Sequence, residues 1–169
     1  MLRRLFPTDY IDSVFDLDIK DLKEKKIKGL IFDIDNTLAP FDIEYPNKKL
    51  INFFKKLKEE GFKICLMSNN TEERVIKFNE KLKVYTIHKA AKPRRRSFKK
   101  AMQLMNTNKD STVIIGDQIF TDVWGGNRVG IMTILVVPIS ERDEWITKIK
   151  RGLEKIIINI YLATRKVER

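Results

Sequence analysis

The sequence predicts an α/β fold, a Rossmann-like three-layer sandwich with a central parallel sheet. Short apolar runs alternate with amphipathic stretches along the chain, the pattern of parallel strands covered by helices. Acidic and small polar residues stand just past several of those runs, where open α/β sheets bind ligands. Gly and Pro are sparse and scattered, so no long linker interrupts the pattern. A chain of 169 residues fits one domain with a single core. The expected organisation is one domain over 1–169, with an extension at 1–27, a core at 28–138 and a C-terminal helix at 141–166.

The elements follow in order. Residues before Lys28 give a weak pattern, with a short helix expected around 10–15 and low order nearby. Gly29-Leu30-Ile31-Phe32-Asp33-Ile34 reads as the first buried strand. Residues 47–60 place Leu50, Phe53, Phe54 and Leu57 at helical spacing, and Gly61 suits the helix end. Residues 62–67 form a second strand. Thr71 then caps a helix whose first turn carries Glu72 and Glu73, favourable at the positive helix end. Residues 84–88 are a third strand, and Pro93 suits the first turn of a helix running to about Met105. Residues 111–115 and 131–137 are the fourth and fifth strands, with a short helix at 121–128 between them. After Pro138 a helix is expected over about 141–165, with Trp145, Ile146, Ile149, Leu153, Ile156, Ile157 and Ile160 as its apolar residues. Most of those isoleucines are expected to pack on the sheet, and Trp124 in the core or against this helix.

Composition narrows the class. Apolar residues are 43% and charged residues 34% of the chain, a globular balance. The single Cys65 excludes an intramolecular disulfide and lies in an apolar run, as a small buried hydrophobe does. The N-terminus lacks the apolar stretch of a signal peptide, and the run at 156–163 is far short of the ~20 residues a spanning helix requires. A cytoplasmic protein, soluble or peripheral on the inner face of the membrane, is expected. The net charge is +11, and residues 81–109 hold ten Lys and Arg with no Asp or Glu. The excess is therefore local and implies an anionic partner.

The chemistry gathers at strand ends. Asp33-Ile34-Asp35-Asn36-Thr37-Leu38 follows the first strand, and alternation would let Asp33 and Asp35 share one direction. Two adjacent carboxylates are costly unless a cation neutralises them or one holds a proton, and hard oxygen ligands favour Mg²⁺. Ser68-Asn69-Asn70 follows the second strand with short donors for phosphate oxygens. Lys92-Pro93 brings an ammonium. Gly116-Asp117-Gln118-Ile119-Phe120-Thr121-Asp122 follows the fourth strand as a second acidic cluster. Each element alone is ordinary loop chemistry; their order and placement together point to phosphoryl transfer.

These four segments resemble the four motifs of the haloacid dehalogenase superfamily over about residues 29–137. The resemblance implies that Asp33 is the nucleophile and Asp35 the general acid/base. It further implies that Ser68 and Asn69 bind phosphate, that Lys92 balances its charge, and that Asp33, Asp35, Asp117 and Asp122 hold Mg²⁺. Short connections imply no large cap domain and an open site. Leu2-Arg3-Arg4-Leu5-Phe6-Pro7 and the run from Gly116 to Arg128 resemble a narrower branch, the YqeG-like phosphatases of subfamily IIIA. These are related to phosphatidylglycerophosphate phosphatase, which implies dephosphorylation of phosphatidylglycerophosphate to phosphatidylglycerol.

Two features fit an anionic phospholipid. Arg94, Arg95 and Arg96 fall in the first turn of a helix, where the macrodipole disfavours cations unless an anion binds. The C-terminal segment interleaves Lys148, Lys150, Arg151 and Lys155 with apolar residues, so it could lie on an anionic leaflet. The alternatives are a phosphatase for a nucleic-acid end or a small soluble ester, and a non-catalytic receiver-like or anion-binding module. Nucleic acid is disfavoured because the basic segment holds only Tyr85 and Phe98 for stacking. A receiver would place its Lys-Pro after the last acidic cluster, whereas Lys92-Pro93 precedes Asp117. His88, the sole histidine, reads as a loop or strand-edge residue.

Overall fold

The computed structural model describes residues 2–140 and 145–167, with side chains described over 2–140 and 152–165. Six strands form one sheet in which all pairs are parallel: β1 (Asp9–Ile11), β2 (Gly29–Phe32), β3 (Lys63–Met67), β4 (Tyr85–Ile87), β5 (Thr112–Gly116) and β6 (Met132–Val136). Their order is β1-β6-β5-β2-β3-β4. From β2 the chain winds outward through β3 and β4, then crosses back to build β5 and β6 on the other side. The strand order therefore reverses between β2 and β5, whose Phe32 and Ile115 are register partners. Asp33 N continues the ladder by donating to Ile115 O at 3.0 Å.

The period-2 pattern of buried strands divides the core. Leu30, Phe32, Ile64, Leu66, Val113 and Ile115 face one layer, packed against α1 (Ile19–Glu24), α2 (Lys48–Glu59) and α3 (Glu72–Asn79). Ile31, Cys65, Met67 and Ile114 face the other, where Phe98, Ala101 and Met105 of α4 (Arg95–Met105) cover them. A third cluster joins Ile119, Val123 and Leu135 to Ile157 of α6 (Trp145–Val167). Between β5 and β6 a π-helical turn, Ile119–Val123, runs into α5 (Trp124–Val129).

Local sequence accounts for most boundaries. Asn47 caps α2 by accepting from Leu50 N, and Thr71 caps α3 by accepting from Arg74 N. Gly61 follows α2 at φ +90°, a left-handed turn that suits a residue without Cβ.

Four expectations change. Residues 9–11 are a strand and not a helix, because their register on Ile134, Leu135 and Val136 extends the sheet by one strand. The segment continues through a 3-10 turn at Val14–Asp16 and then α1. The helix after Pro93 begins two residues later than expected. Arg94 N donates to Ala91 O at 3.0 Å, closing a turn there and leaving Arg94 at the cap. Among the described side chains of α6, Glu154, Ile157 and Tyr161 are buried, while Leu153, Ile156 and Ile160 are exposed. Of the isoleucines expected to pack, Ile157 does so, while Ile156 and Ile160 do not. Residues 141–144 and the side chains of Trp145, Ile146, Lys148, Ile149, Lys150 and Arg151 lie outside the described residues. Trp124 is 36% exposed with the Arg128 guanidinium 5.2 Å from its ring centre, rather than buried in the core.

Two outcomes follow from this packing. Phe54 is 1% exposed and lies 5.2 Å from Phe32, so Phe54→Ala should cost about 3–5 kcal/mol in a urea melt. Ile76→Ala, at a side chain 56% exposed, should stay within about 0.5 kcal/mol. Burial pushes the Cys65 thiol up to about 12. Cys65 should therefore resist a thiol reagent at pH 8 in the native protein and react once the chain is unfolded. Rapid native labelling would contradict the packing.

Candidate active site

The reversal of strand order creates a crevice at the carboxyl ends of β2 and β5, and the loops after β3 and β4 close its side. After Phe32 the chain leaves the strand in a tight turn: Leu38 N donates to Ile34 O, and Asn36, at φ +62°, donates its N–H to Ala39 O. Asn tolerates that left-handed conformation better than most residues. The turn, rather than strand alternation, brings both acids to the crevice.

Asp33 is the buried centre. Its Oδ1 accepts from Lys92 Nζ at 2.5 Å, and Lys92 Nζ also donates to Asp122 Oδ1 at 2.6 Å. Thr37 Oγ1 donates to Asp117 Oδ1 at 2.9 Å and lies 3.3 Å from Asp33 Oδ2. Asp33, Asp117 and Asp122 offer oxygens within 4.8 Å of one another, all three residues buried. Their buried all-oxygen donor set fits a hard divalent cation, which would add positive charge among three close carboxylates.

Asp35 serves a different part of the crevice. Arg74 Nη2 donates to its Oδ1 at 3.1 Å, and Asn70 Nδ2 donates to Oδ2 at 3.3 Å, with Ser68 Oγ 3.4 Å away. Its carboxylate thus lies outside the trio suited to a cation. Lys92 is fixed at its backbone too, where its N–H donates to Asn69 Oδ1 at 2.7 Å.

The charges respond to this crowding. Burial lifts the Asp33 carboxyl above the ordinary carboxylate range; Lys92 opposes the shift and the Asp122 charge adds to it. Burial also lifts Asp35, helped by the charge of Asp33 and opposed by Arg74. For Lys92 burial disfavours the ammonium, but Asp122 and Asp33 together outweigh it, so its pKa is raised and it remains charged.

Asp33, Asp35, Ser68, Asn69, Asn70, Lys92, Gln118 and Thr121 line one open cavity of about 320 Å³. Asp117 and Asp122 lie beside it, buried. Arg94, Arg95 and Arg96 are exposed and do not line it. Arg95 and Arg96 instead border a separate groove of about 580 Å³ with Lys99, Lys100 and Gln103. His88 follows β4, with Nε2 3.5 Å from Glu72 Oε1, as a strand-edge residue.

Sequence reasoning assigned no role to five residues that the fold brings to the site or its loop. Arg74 is the most informative, a cation in the first turn of α3, where the helix dipole disfavours it. The same signal drew notice at Arg94–Arg96. Thr37 carried no signal beyond its place in the first motif. Gln118 and Thr121 are seen only in the fold: Gln118 N and Thr121 Oγ1 lie 3.2 and 3.3 Å from Asp122 Oδ2. Glu154 of α6, 4% exposed, reaches the same loop, its Oε1 accepting from Phe120 N at 3.1 Å.

Family models match in two adjoining pieces, haloacid dehalogenase-like hydrolase over residues 30–91 and HAD-hydrolase-like over 89–158. The chain belongs to the haloacid dehalogenase-like hydrolases, and its fold and site define it as a phosphatase of that superfamily. It is 42% identical over 160 residues to the probable phosphatase YqeG of Bacillus subtilis (strain 168), covering 94% of this chain and 93% of that one. It is 26% identical over 158 residues to phosphatidylglycerophosphate phosphatase 1, chloroplastic/mitochondrial, of Arabidopsis thaliana, covering 86% of this chain and 45% of that one. The cobalt-bound deoxy-D-mannose-octulosonate 8-phosphate phosphatase YrbI from Haemophilus influenzae shares the fold, with TM-score 0.57 and 14% identity over 82% of this chain and 91% of that one.

Gly116 ends β5 against the acidic loop, and a Cβ there would come within 2.4 Å of the Asp122 carboxyl carbon. Gly116→Ala should fold yet bind Mg²⁺ or Mn²⁺ about 10–100-fold more weakly in a calorimetric titration, since Asp122 must move. Unchanged affinity would remove Asp122 from the ion's support.

Proposed function

We propose that this chain is a Mg²⁺-dependent phosphomonoester hydrolase that works through an aspartyl-phosphate on Asp33. We further propose that it converts phosphatidylglycerophosphate to phosphatidylglycerol. The observation that carries the reading is Asp33 itself, a buried carboxylate held by Lys92 on the wall of an open cavity, beside two further buried carboxylates.

The residues divide the work. An Asp33 oxygen attacks phosphorus as the bond from phosphorus to the alkyl oxygen breaks, splitting one difficult displacement into two. Asp35, with its raised pKa, gives its proton to the leaving alkoxide and then takes one from the water that attacks the acyl phosphate. Ser68 and Asn69 donate hydrogen bonds to phosphoryl oxygens, and Lys92 offsets their charge. Thr37 holds Asp33 and Asp117 together, while Arg74 and Asn70 aim Asp35. Mg²⁺ held by Asp33, Asp117 and Asp122 would stabilise negative charge on the phosphoryl oxygens.

Three features support the lipid. The Arabidopsis relative bears that activity in its name. Only a short segment, with no cap domain, separates the first motif from α2, leaving the cavity open to a bulky substrate. The positive excess gathers around α4, and exposed Leu153, Ile156 and Ile160 line part of α6 beside Lys155. No described helix is long and apolar enough to cross a membrane. Contact with an anionic membrane would therefore be peripheral, and cytoplasmic protein at the inner face is the corresponding location.

The deciding assay is Mg²⁺-dependent phosphate release from phosphatidylglycerophosphate in mixed micelles, beside soluble monoesters. Preference for the lipid is expected, with loss in Asp33→Asn and a fall of about 10²–10⁴-fold in Asp35→Asn. Release from soluble esters alone would keep the mechanism and discard the lipid. No metal-dependent release from any ester would overturn the hydrolase reading.

A further inference from the structure

We infer that the rim of the active-site mouth, formed by Phe41, Ile43 and Tyr45 on one side and Val137 and Ile139 on the other, docks the enzyme onto an anionic lipid surface. The inference rests on the phosphatase reading of the cavity and identifies the face through which a lipid substrate reaches it.

Phe41, Ile43 and Tyr45 are 51%, 44% and 44% exposed, and Val137 and Ile139 are 38% and 51% exposed. The first three lie between the catalytic turn and α2, and the last two follow β6. Both segments are fastened to the turn that carries Asp33 and Asp35. Ile139 N donates to Asn36 O at 2.9 Å, and Asn36 N donates to Ala39 O at 2.7 Å, two residues before Phe41. Arg74 ties the other end, donating from Nη1 to Glu44 O at 3.2 Å and from Nη2 to Asp35 Oδ1 at 3.1 Å. A single guanidinium therefore spans from the rim to a cavity carboxylate. Large apolar side chains thus gather beside the cavity whose lining residues are all polar or charged.

That contrast selects an amphiphile. A phosphate monoester fills the polar cavity, and the apolar rim meets what lies beyond it. Insertion of exposed aromatic and aliphatic side chains into the boundary between headgroups and acyl chains removes them from water. Charge selects the sign of the surface. The protein carries +11, and the exposed Arg94, Arg95 and Arg96 begin two residues beyond Lys92. Anionic headgroups complement that excess. The rim also includes Asp42 and Glu44, and Glu44 is matched by Lys77 at 3.3 Å.

The test is co-sedimentation of the full chain with equimolar phosphatidylglycerol–phosphatidylcholine vesicles, compared with phosphatidylcholine alone. The variants are Phe41→Ser/Ile43→Ser and, away from the rim, Ile76→Ser on α3. Hydrolysis of p-nitrophenyl phosphate reports folding and chemistry, and gel filtration reports self-association. The double variant should lose at least about tenfold in affinity for anionic vesicles while wild type and Ile76→Ser retain it. Its turnover of p-nitrophenyl phosphate should match wild type. Equal vesicle binding by the double variant, or none by wild type, overturns the inference. A wild-type dimer that becomes monomeric in the double variant without loss of vesicle binding also overturns it, making the rim a contact between copies. Vesicle binding that depends on the rim, without phosphatidylglycerophosphate hydrolysis, supports the docking surface and sinks the lipid-substrate reading alone.

Discussion

The site depends on one buried ammonium. Lys92 reaches Asp33 across 59 residues of sequence and Asp122 across 30, and both contacts are almost dry. Burying a charge is unfavourable unless partners surround it, and breaking such a pair typically costs about 3–5 kcal/mol because the surviving charge stays buried. Lys92 is therefore a structural tie as well as a source of charge. Its backbone bond to Asn69 brings in the loop after β3, so three of the strand-end segments meet at one residue.

The sheet explains why those segments can meet. The strand-order reversal sets β2 beside β5, so the residues just past Phe32 and Gly116 are neighbours although some 80 residues separate them. Parallel pairing aligns all carboxyl ends on one edge, and each loop contributes a different chemistry there. Three carboxylates, Asp33, Asp117 and Asp122, crowd together there. Burial raises the Asp33 pKa and the Asp122 charge adds to the shift, so a proton or a divalent ion would ease that crowding.

Much of this was legible in the sequence. The buried strands from Gly29 onward and the helices capped by Asn47 and Thr71 follow from local periodicity and capping. The acidic positions follow from residue type at strand ends. What escaped needed tertiary partners. Asp9-Tyr10-Ile11 becomes a strand only because β6 offers an edge, and three residues give too little pattern to distinguish a strand from a helix. Ile156 and Ile160 are expected on the sheet because helical spacing does not say how wide a stripe the domain will cover. Arg74 bore a local anomaly, but its partner Asp35 lies 39 residues away with α2 and β3 between them, so the two meet only in the folded chain.

Glu154 lies on the helix farthest along the chain from the catalytic turn, yet its carboxylate receives the Phe120 N–H in the middle of the acidic loop. Detaching α6 would strip that amide of its acceptor and uncover Ile157 and Tyr161 in the same movement. The last helix and the acidic loop thus share one opening equilibrium. Amide hydrogen exchange at Phe120 would register the fraying of a helix none of whose described side chains lines the cavity.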